Sequence, residues 1–417
     1  MAENEKSIPK RRFKEFQDTK GWEQRKLGEL MEIASASRVH KDEWTESGVP
    51  FFRSSDVVAV FKGVDNNKAF ISFELYEELS KKSGCVQMND LLVTGGGSIG
   101  IPYLVRDSEP LYFKDADLIW LKNSNNINSS FLYTFFTTAT FRGYVNSITH
   151  IGTISHYTIE QVKSTPIKVP EKEEQRKIGD YFSDLDNLIN LNKCKLEKTK
   201  ALKAAYLSEM FPAEGESVPK RRFAGFADVW EQCKLEGISS FITKGTTPLD
   251  KSSNGNINFI KIESINPSSG EITISTKITE QEHEGYLKRS QLQEKDILFS
   301  IAGTLGRVTV INKGNLPANT NQALAIIRLM KGNINYVTTF LKGKVVSDYI
   351  KKNPTVGAQP NLSLEQVGNL EIMLPTNEEQ IKIGNFFQQL DDTIALHQCK
   401  LEKLQNIKKA YLNEMFI

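Results

Sequence analysis

The sequence is short of the features that settle a protein's class at a glance. Its four cysteines (Cys85, Cys194, Cys233, Cys399) lie far apart and form no C-x-x-C pair. A disulfide framework and a structural zinc site are therefore both disfavoured. No stretch approaches the roughly 18 apolar residues needed to cross a bilayer. The opening MAENEKSIPKRRF carries charge but no apolar core of a secretory signal, so the cytoplasm is the expected compartment. The five histidines (His40, His150, His156, His283, His397) show no metal spacing. There is no G-x-x-x-x-G-K-S/T phosphate loop, and no Asn-Pro-Pro-aromatic or Asp-Pro-Pro-Tyr run of an amino-methyltransferase. Neither sign of charge dominates. Lys+Arg 53 against Asp+Glu 51 leaves a net charge of +2, so any nucleic-acid surface must come from local clustering. With 39% hydrophobic and 25% charged residues the chain is not generally disordered, and 417 residues exceed one ordinary core.

What is there is a repeat. PEKEEQRKIGDYFSDLDNLINLNKCKLEKTKALKAAYLSEMF begins at Pro170, and PTNEEQIKIGNFFQQLDDTIALHQCKLEKLQNIKKAYLNEMF begins at Pro375. They align without a gap at an offset of 205, and more than half the positions are identical. IPKRRF at Ile8 returns as VPKRRF at Val218, and WEQRKL at Trp22 returns as WEQCKL at Trp230. Between these frames only a skeleton survives. DLLVTGGGSIG at Asp90 faces DILFSIAGTLG at Asp296, and YTIEQV at Tyr157 faces LSLEQV at Leu362. A plain duplication would drift everywhere at similar rates. Matching frames around unlike interiors point to one shared partner surface and two distinct ligands.

Each repeated end reads as a helix of about 40 residues, roughly 60 Å long. Pro170 and Pro375 suit first turns, and Glu173, Glu174, Glu378 and Glu379 complement the positive dipole end. Ile178, Phe182, Leu185, Ile189, Asn192, Leu196, Thr199, Lys203, Tyr206 and Met210 alternate steps of four and three, a coiled-coil seam. Ile383, Phe387, Leu390, Ile394, His397, Leu401, Leu404, Lys408, Tyr411 and Met415 do the same. Acids crowd the early half of each helix and bases the late half, so antiparallel pairing sets acid beside base; each helix obeying its own dipole is the alternative. Asn192 and His397 share one seam position, as polar register pins or satisfied core residues. Leu191, Leu202 and Leu207, with Leu396, Ile407 and Leu412, lie off the seam and form a second stripe suited to partner helices. The stripe occurs twice, so two copies of one partner are expected.

Two similar domains on an antiparallel helix pair match the twofold geometry of duplex DNA, and here the two reading surfaces need not be alike. At this point the chain resembles a known family, the specificity (S) subunit of type I restriction-modification systems. The resemblance covers nearly the whole chain. Its most specific part is P-x-x-x-E-Q-x-x-I before each long helix (PEKEEQRKI, PTNEEQIKI), with the EQV segments and the paired D-I/L-L strands also fitting. It implies two target-recognition domains, each reading half of a split, asymmetric DNA site. It also implies two conserved helices that set the spacer and dock two methyltransferase (modification) subunits, with nuclease and translocase subunits joining that core. The family assigns no catalytic residue to this subunit. Adenine methylation and ATP-dependent cleavage, with S-adenosylmethionine, ATP and Mg, would belong to partner subunits, and this chain would hold no cofactor and no metal.

The fold class expected is α+β: a pseudo-twofold duplicated chain with two mixed α/β target-recognition domains separated by a pair of long antiparallel coiled-coil helices. The expected order is an N-terminal arm (1–20), recognition domain 1 (21–168), the central conserved helix (169–211), a linker and second arm (212–229), recognition domain 2 (230–373) and the C-terminal conserved helix (374–417). Base readout calls for polar side chains on loops between short strands. The candidates are Arg38, Arg53, Ser54, Ser55, Thr94, Ser98, His150 and Thr153 in the first domain. In the second they are Lys244, Thr246, Thr247, Lys261, Ser300, Thr304, Arg307, Asn321, Gln322 and Gln359. Gly95, Gly97 and Gly100 satisfy G-x-G-x-x-G, but strand-like IPYLVRD follows where a dinucleotide site needs a helix, and the second copy lacks the first glycine. A glycine-rich turn close to DNA phosphate fits better. Lys10, Arg11, Arg12, Lys220, Arg221 and Arg222 of the two arms could grip phosphate or pack near partners; both readings stay open. The rival functions are a tandem scaffold that joins two partners without reading DNA, and an enzyme built on the glycine-rich turn.

Overall fold

Two helices dominate the chain in this computed structural model: Lys172–Glu209, of 38 residues, and Asn377–Met415, of 39. The structure describes residues 8–114, 118–148, 156–213, 215–249, 254–267, 269–353 and 361–417. The expected length is met, but Pro170 and Pro375 stand just outside the helices rather than in their first turns. The chain divides into two units, Met1–Leu191 with Leu401–Ile417, and Asn192–Lys400, so each unit holds part of both long helices.

Within the first unit the helix segments run in opposite directions. Tyr181 stacks near Tyr411 with ring centroids 5.6 Å apart, and five residues further along Asp186 takes an ion pair from Lys408 at 2.5 Å. The second unit repeats the arrangement with Asn192 against His397, Lys203 ion-paired to Asp391, and Tyr206 5.0 Å from Phe386. These cross-helix ion pairs join late bases to early acids, as the charge pattern requires. Seam residues Ile178, Phe182 and Leu196, and Ile383 and Phe387, are buried. Each fully buried side chain of that size contributes roughly 1.5–3 kcal/mol.

The variable segments are mixed α/β. In the first unit an antiparallel sheet has the order Ile33–Ala34, Leu118–Leu121, Leu91–Thr94, Pro102–Leu104. A second sheet runs Trp44–Thr45, Ala69–Ile71, Val49–Phe52, Tyr112–Phe113, its last pair parallel. The second unit keeps the plan: Ser239–Lys244, Leu324–Leu329, Ile297–Ser300, Val308–Val310 form the antiparallel sheet. Thr276–Ile278, Ile257–Ile260 and Ala318–Thr320 form the other, again with one parallel pair. Between the sheets' strands the units part company. The first inserts helices Ser54–Lys62 and Phe73–Ser83, where the second has a 3-10 turn, Ile262–Ser264, and a short helix, Glu280–Glu284.

The shared D-I/L-L strands have a common cause. Asp90 and Asp296 are buried, and each carboxylate accepts the amide three residues upstream (Gln87, 2.8 Å; Gln293, 2.7 Å). Each is preceded by a residue at positive φ, Asn89 or Lys295. The remaining carboxylate valence differs: the Trp120 indole donates to Asp90 at 2.7 Å, whereas Arg328 makes a bidentate pair with Asp296.

Candidate nucleic-acid interface and the joint that carries it

The frames of the repeat build a joint that seats each sheet domain on the helices of its own unit. WEQRKL supplies strand Glu23–Lys26, which pairs antiparallel with Pro166–Val169, the segment leading into the first long helix. WEQCKL does the same as Glu231–Lys234 against Glu371–Leu374. The EQV segments are short helices with capping boxes, Thr158 to Gln161 and Ser363 to Gln366.

The P-x-x-x-E-Q-x-x-I motif acts residue by residue. Glu174 is buried and takes both oxygens to Arg12, at 2.7 and 2.6 Å. Arg12 also donates to the carbonyls of Thr19 and Lys20. Glu379 binds Arg222 the same way, at 2.7 Å twice. Gln175 donates to the Pro170 carbonyl and accepts the Asn128 amide, and Gln380 bridges Pro375 and Asn333 likewise. Asn128 and Asn333 in turn cap the helices Ser129–Phe135 and Ile334–Leu341. The glycines after the motif allow close approach: a Cβ on Gly179 would lie 2.8 Å from the Phe131 amide nitrogen, and one on Gly384 2.9 Å from that of Tyr336.

The arms, left open by the sequence, belong to this joint. Arg11 bonds Glu414 at 2.5 Å and lies over the Tyr411 ring; Arg221 bonds Glu209 at 2.6 Å and lies over Tyr206. The paired carboxylates raise all four guanidinium pKa values, the hydrogen bond being the main cause. Sequence reasoning missed this clamp; the signal available was the recurrence of Arg-Arg and of Glu-Gln in both copies. Asn192 is buried and satisfied within the seam, its amide donating to the His397 carbonyl at 2.8 Å and its oxygen 3.1 Å from His397 Nδ1.

Of the residues expected to face partner helices, Leu191, Leu202 and Leu396 are exposed, and Leu188 joins them. Leu207 and Leu412 are instead half-buried against the cores of their units, because they lie beside the joint, and Ile407 is half-buried.

The expected base-reading loops gather at one end of the antiparallel sheet in each unit. In the second unit, Lys244 ends its strand opposite Ala325, the Thr246 amide bonds the Thr320 carbonyl, and Thr247 meets Gln322 side chain to side chain. The Ile301 amide bonds the Ala323 carbonyl, which brings the turn with Thr304 to the same rim as Asn321 and Gln322. Lys261 follows the strand whose last residue, Ile260, pairs with Thr320. Lys244, Thr247, Thr304 and Gln322 are exposed, and Thr246, Lys261 and Asn321 half-buried. In the first unit Arg38 and Ser98 are exposed on loops leaving the same sheet end, while Ser54 and Ser55 begin the helix after Arg53. His150, Thr153 and Gln359 lie outside the described residues.

Four of the expected readers have other work. Thr94 and Ser300 are fully buried. The Thr94 hydroxyl donates to the Ser98 carbonyl and accepts the Ile101 amide; the Ser300 hydroxyl donates to Thr304 and accepts the Arg307 amide, at 2.6 and 2.7 Å. They hold the glycine-rich turns and present nothing to a base. Arg53 is bidentate to Asp56 and bonds the Asn67 carbonyl at 2.5 Å. Arg307 binds the carbonyls of Ile262 and Ile265. The glycine-rich segments are hairpin turns followed by strands, Pro102–Leu104 and Val308–Val310, not strand-to-helix crossovers.

A sheet domain written twice, each copy keyed by identical residues to long antiparallel helices and varied at one rim, defines a tandem recognition protein. The chain belongs to the type I restriction modification DNA specificity domain family, whose model matches residues 19–201 and 228–406. It is 22% identical over 351 residues to the type I restriction enzyme MjaVIII specificity subunit of Methanocaldococcus jannaschii, covering 81% of this chain and 80% of that one. The EcoBI specificity subunit of Escherichia coli is 22% identical over 369 residues, 83% of this chain and 73% of that protein. A putative specificity subunit of Haemophilus influenzae is 26% identical over 166 residues, and there the match spans 39% of this chain and only 40% of the relative. The fold matches the crystal structure of a type I restriction-modification S subunit from M. genitalium with a TM-score of 0.66 at 17% identity, covering 98% and 99% of the two chains. No helix among the described residues is long and apolar enough to cross a membrane.

Proposed function

We propose that the chain is the non-catalytic specificity subunit of a type I restriction-modification complex, and that its two sheet rims each read one half of a bipartite, asymmetric DNA site. The observation that carries this reading is the contrast between two joints made of the same side chains and two rims made of different ones. A scaffold that only joined partners would have no use for unlike rims. Segments 21–168 and 230–373 act as the recognition domains, and the helices set the unread gap between half-sites. Exposed Leu188, Leu191, Leu202 and Leu396 offer apolar contacts to two methyltransferase subunits. S-adenosylmethionine, ATP and Mg are used by partner subunits, nuclease and translocase among them, in the cytoplasm. The small net charge of +2 supports weak binding by the chain alone, with the partners supplying much of the phosphate contact.

The test is the methylome of a host with and without this chain. A split adenine-methylation motif that depends on the chain is the expected result; an unchanged methylome overturns the reading. Purified alone, the chain should bind the motif weakly, and the methyltransferase subunit should tighten binding. Equal anisotropy-derived affinity at fixed salt with and without that subunit contradicts this part.

A further inference from the structure

At the rim of the second unit two loops are locked into one platform. The Gly245 amide bonds the Leu324 carbonyl at 3.2 Å, and the Thr246 amide bonds that of Thr320 at 2.9 Å. The contact is main chain against main chain: a Cβ on Gly245 would lie 2.1 Å from the Thr320 carbonyl oxygen and 2.3 Å from that of Asn321. A third segment joins through the Ile301 amide, 2.9 Å from the Ala323 carbonyl. The turn at Asn321–Leu324 also closes on itself. The Leu324 amide meets the Asn321 carbonyl at 3.2 Å, and the Asn321 side-chain oxygen accepts the Ala323 amide at 3.2 Å. Beneath it Thr320 is fully buried, its hydroxyl donating to the Ile260 carbonyl at 2.8 Å. Gln322 is the polar side chain that this turn leaves exposed.

Exposed as it is, Gln322 is held. The Thr247 hydroxyl of the other loop donates to its side-chain carbonyl oxygen. Both residues face solvent, so the bond adds little stability, while fixing a glutamine costs rotamer entropy. What the bond provides is a group oriented in advance for a ligand. It also selects that ligand. One lone pair of the oxygen is taken, and the other remains beside the two amide hydrogens. The free edge is therefore one acceptor and one donor in a single plane. In the major groove adenine offers the complement, N6–H to donate and N7 to accept, whereas guanine offers two acceptors, N7 and O6. The first unit has no such group at the matched place. Leu118 and Leu324 hold the same register, opposite Thr94 and Ser300. Two positions before Leu324 stands Gln322, and two before Leu118 the sequence has Ala116, which lies outside the described residues. Lys244 is exposed in the same loop as Thr247 and places there a cation that suits a polyanion.

We propose that Gln322 reads one adenine of the half-site taken by the second unit, its amide nitrogen donating to N7 and its oxygen accepting from N6–H in the major groove. The assignment rests on the DNA-reading function above and adds a named base to it. Gln322 is the reading residue, and Thr247 is a positioning residue that acts through it.

The experiment uses the full chain assembled with its methyltransferase subunits, and labelled duplexes carrying the motif. Each adenine is replaced in turn by 7-deazaadenine, which pairs normally but has C–H in place of N7. At one adenine, in one half of the motif, the replacement should weaken the unaltered complex about tenfold. Gln322→Ala should lose about the same factor on the unmodified motif, keep its unfolding midpoint, and no longer respond to that one replacement. Thr247→Val should give a smaller loss at the same adenine and leave the response to every other replacement unchanged. Undiminished binding by Gln322→Ala overturns the assignment. So does the absence of any adenine whose replacement the unaltered complex feels and Gln322→Ala ignores. If Gln322→Ala unfolds early, Gln322→Glu keeps the size and an oxygen but removes the donor, and the same two outcomes decide. Equal binding of motif and random duplexes by the unaltered complex overturns the sequence-reading function itself, a separate failure seen before any base is replaced.

Discussion

The two joints are built from the same side chains, and the two rims are not. Arg12, Glu174, Gln175 and Gly179 reappear as Arg222, Glu379, Gln380 and Gly384, with the same guanidinium–carboxylate pair and the same glutamine bridge, and Arg12 alone adds the carbonyls of Thr19 and Lys20. At the rims only the hydroxyl-pinned turn recurs, and the loops around it share neither length nor chemistry: Arg38 on one, Lys244, Thr247 and Gln322 on the other. Constancy in this chain marks the buried joints, and divergence marks the exposed loops that the proposed function sets against unlike half-sites. A buried charged joint tolerates little change, because each member answers the valence of another, whereas an exposed loop can change residue by residue.

The comparison predicts a steep ranking of substitutions. Arg12→Ala strands a buried carboxylate and should destabilise the first unit by about 3–5 kcal/mol. Arg222→Ala should do the same to the second, while Gln322→Ala should stay within about 0.5 kcal/mol in chemical unfolding. If the rim change proves as damaging as the joint change, the division fails. Gly179→Ala and Gly384→Ala follow, at about 1–3 kcal/mol each, because the added methyl meets main chain rather than a side chain that can turn away. Asn192→Ala removes the hydrogen bonds to His397 and should shift unfolding by about 1 kcal/mol. Smallest is Lys203→Ala or Lys408→Ala, each below about 1 kcal/mol and diminishing with added salt, as expected for partly exposed ion pairs.

The paired helices were legible in the sequence because a seam and a charge gradient are periodic signals that survive without coordinates. The direction of pairing followed from acids at Asp186 and Asp391 meeting bases at Lys408 and Lys203. The arms were not legible: Arg12 finds Glu174 162 positions away, and nothing local announces that partner. The rims were half legible. Polar residues on loops look alike in a sequence whether they face solvent or satisfy the chain. Thr94 and Ser300 face inward because the strand pairing of Leu91–Thr94 and Ile297–Ser300 points their hydroxyls beneath the turn. Arg53 was drawn off by Asp56, three residues along the helix it opens.

The most direct measurement is to exchange residues 21–168 for those of a relative that recognises another site, and to sequence the methylome. Because the second rim and both joints are untouched, one half of the split motif should change while the other half and the gap persist. Change in both halves, or in neither, would contradict the account.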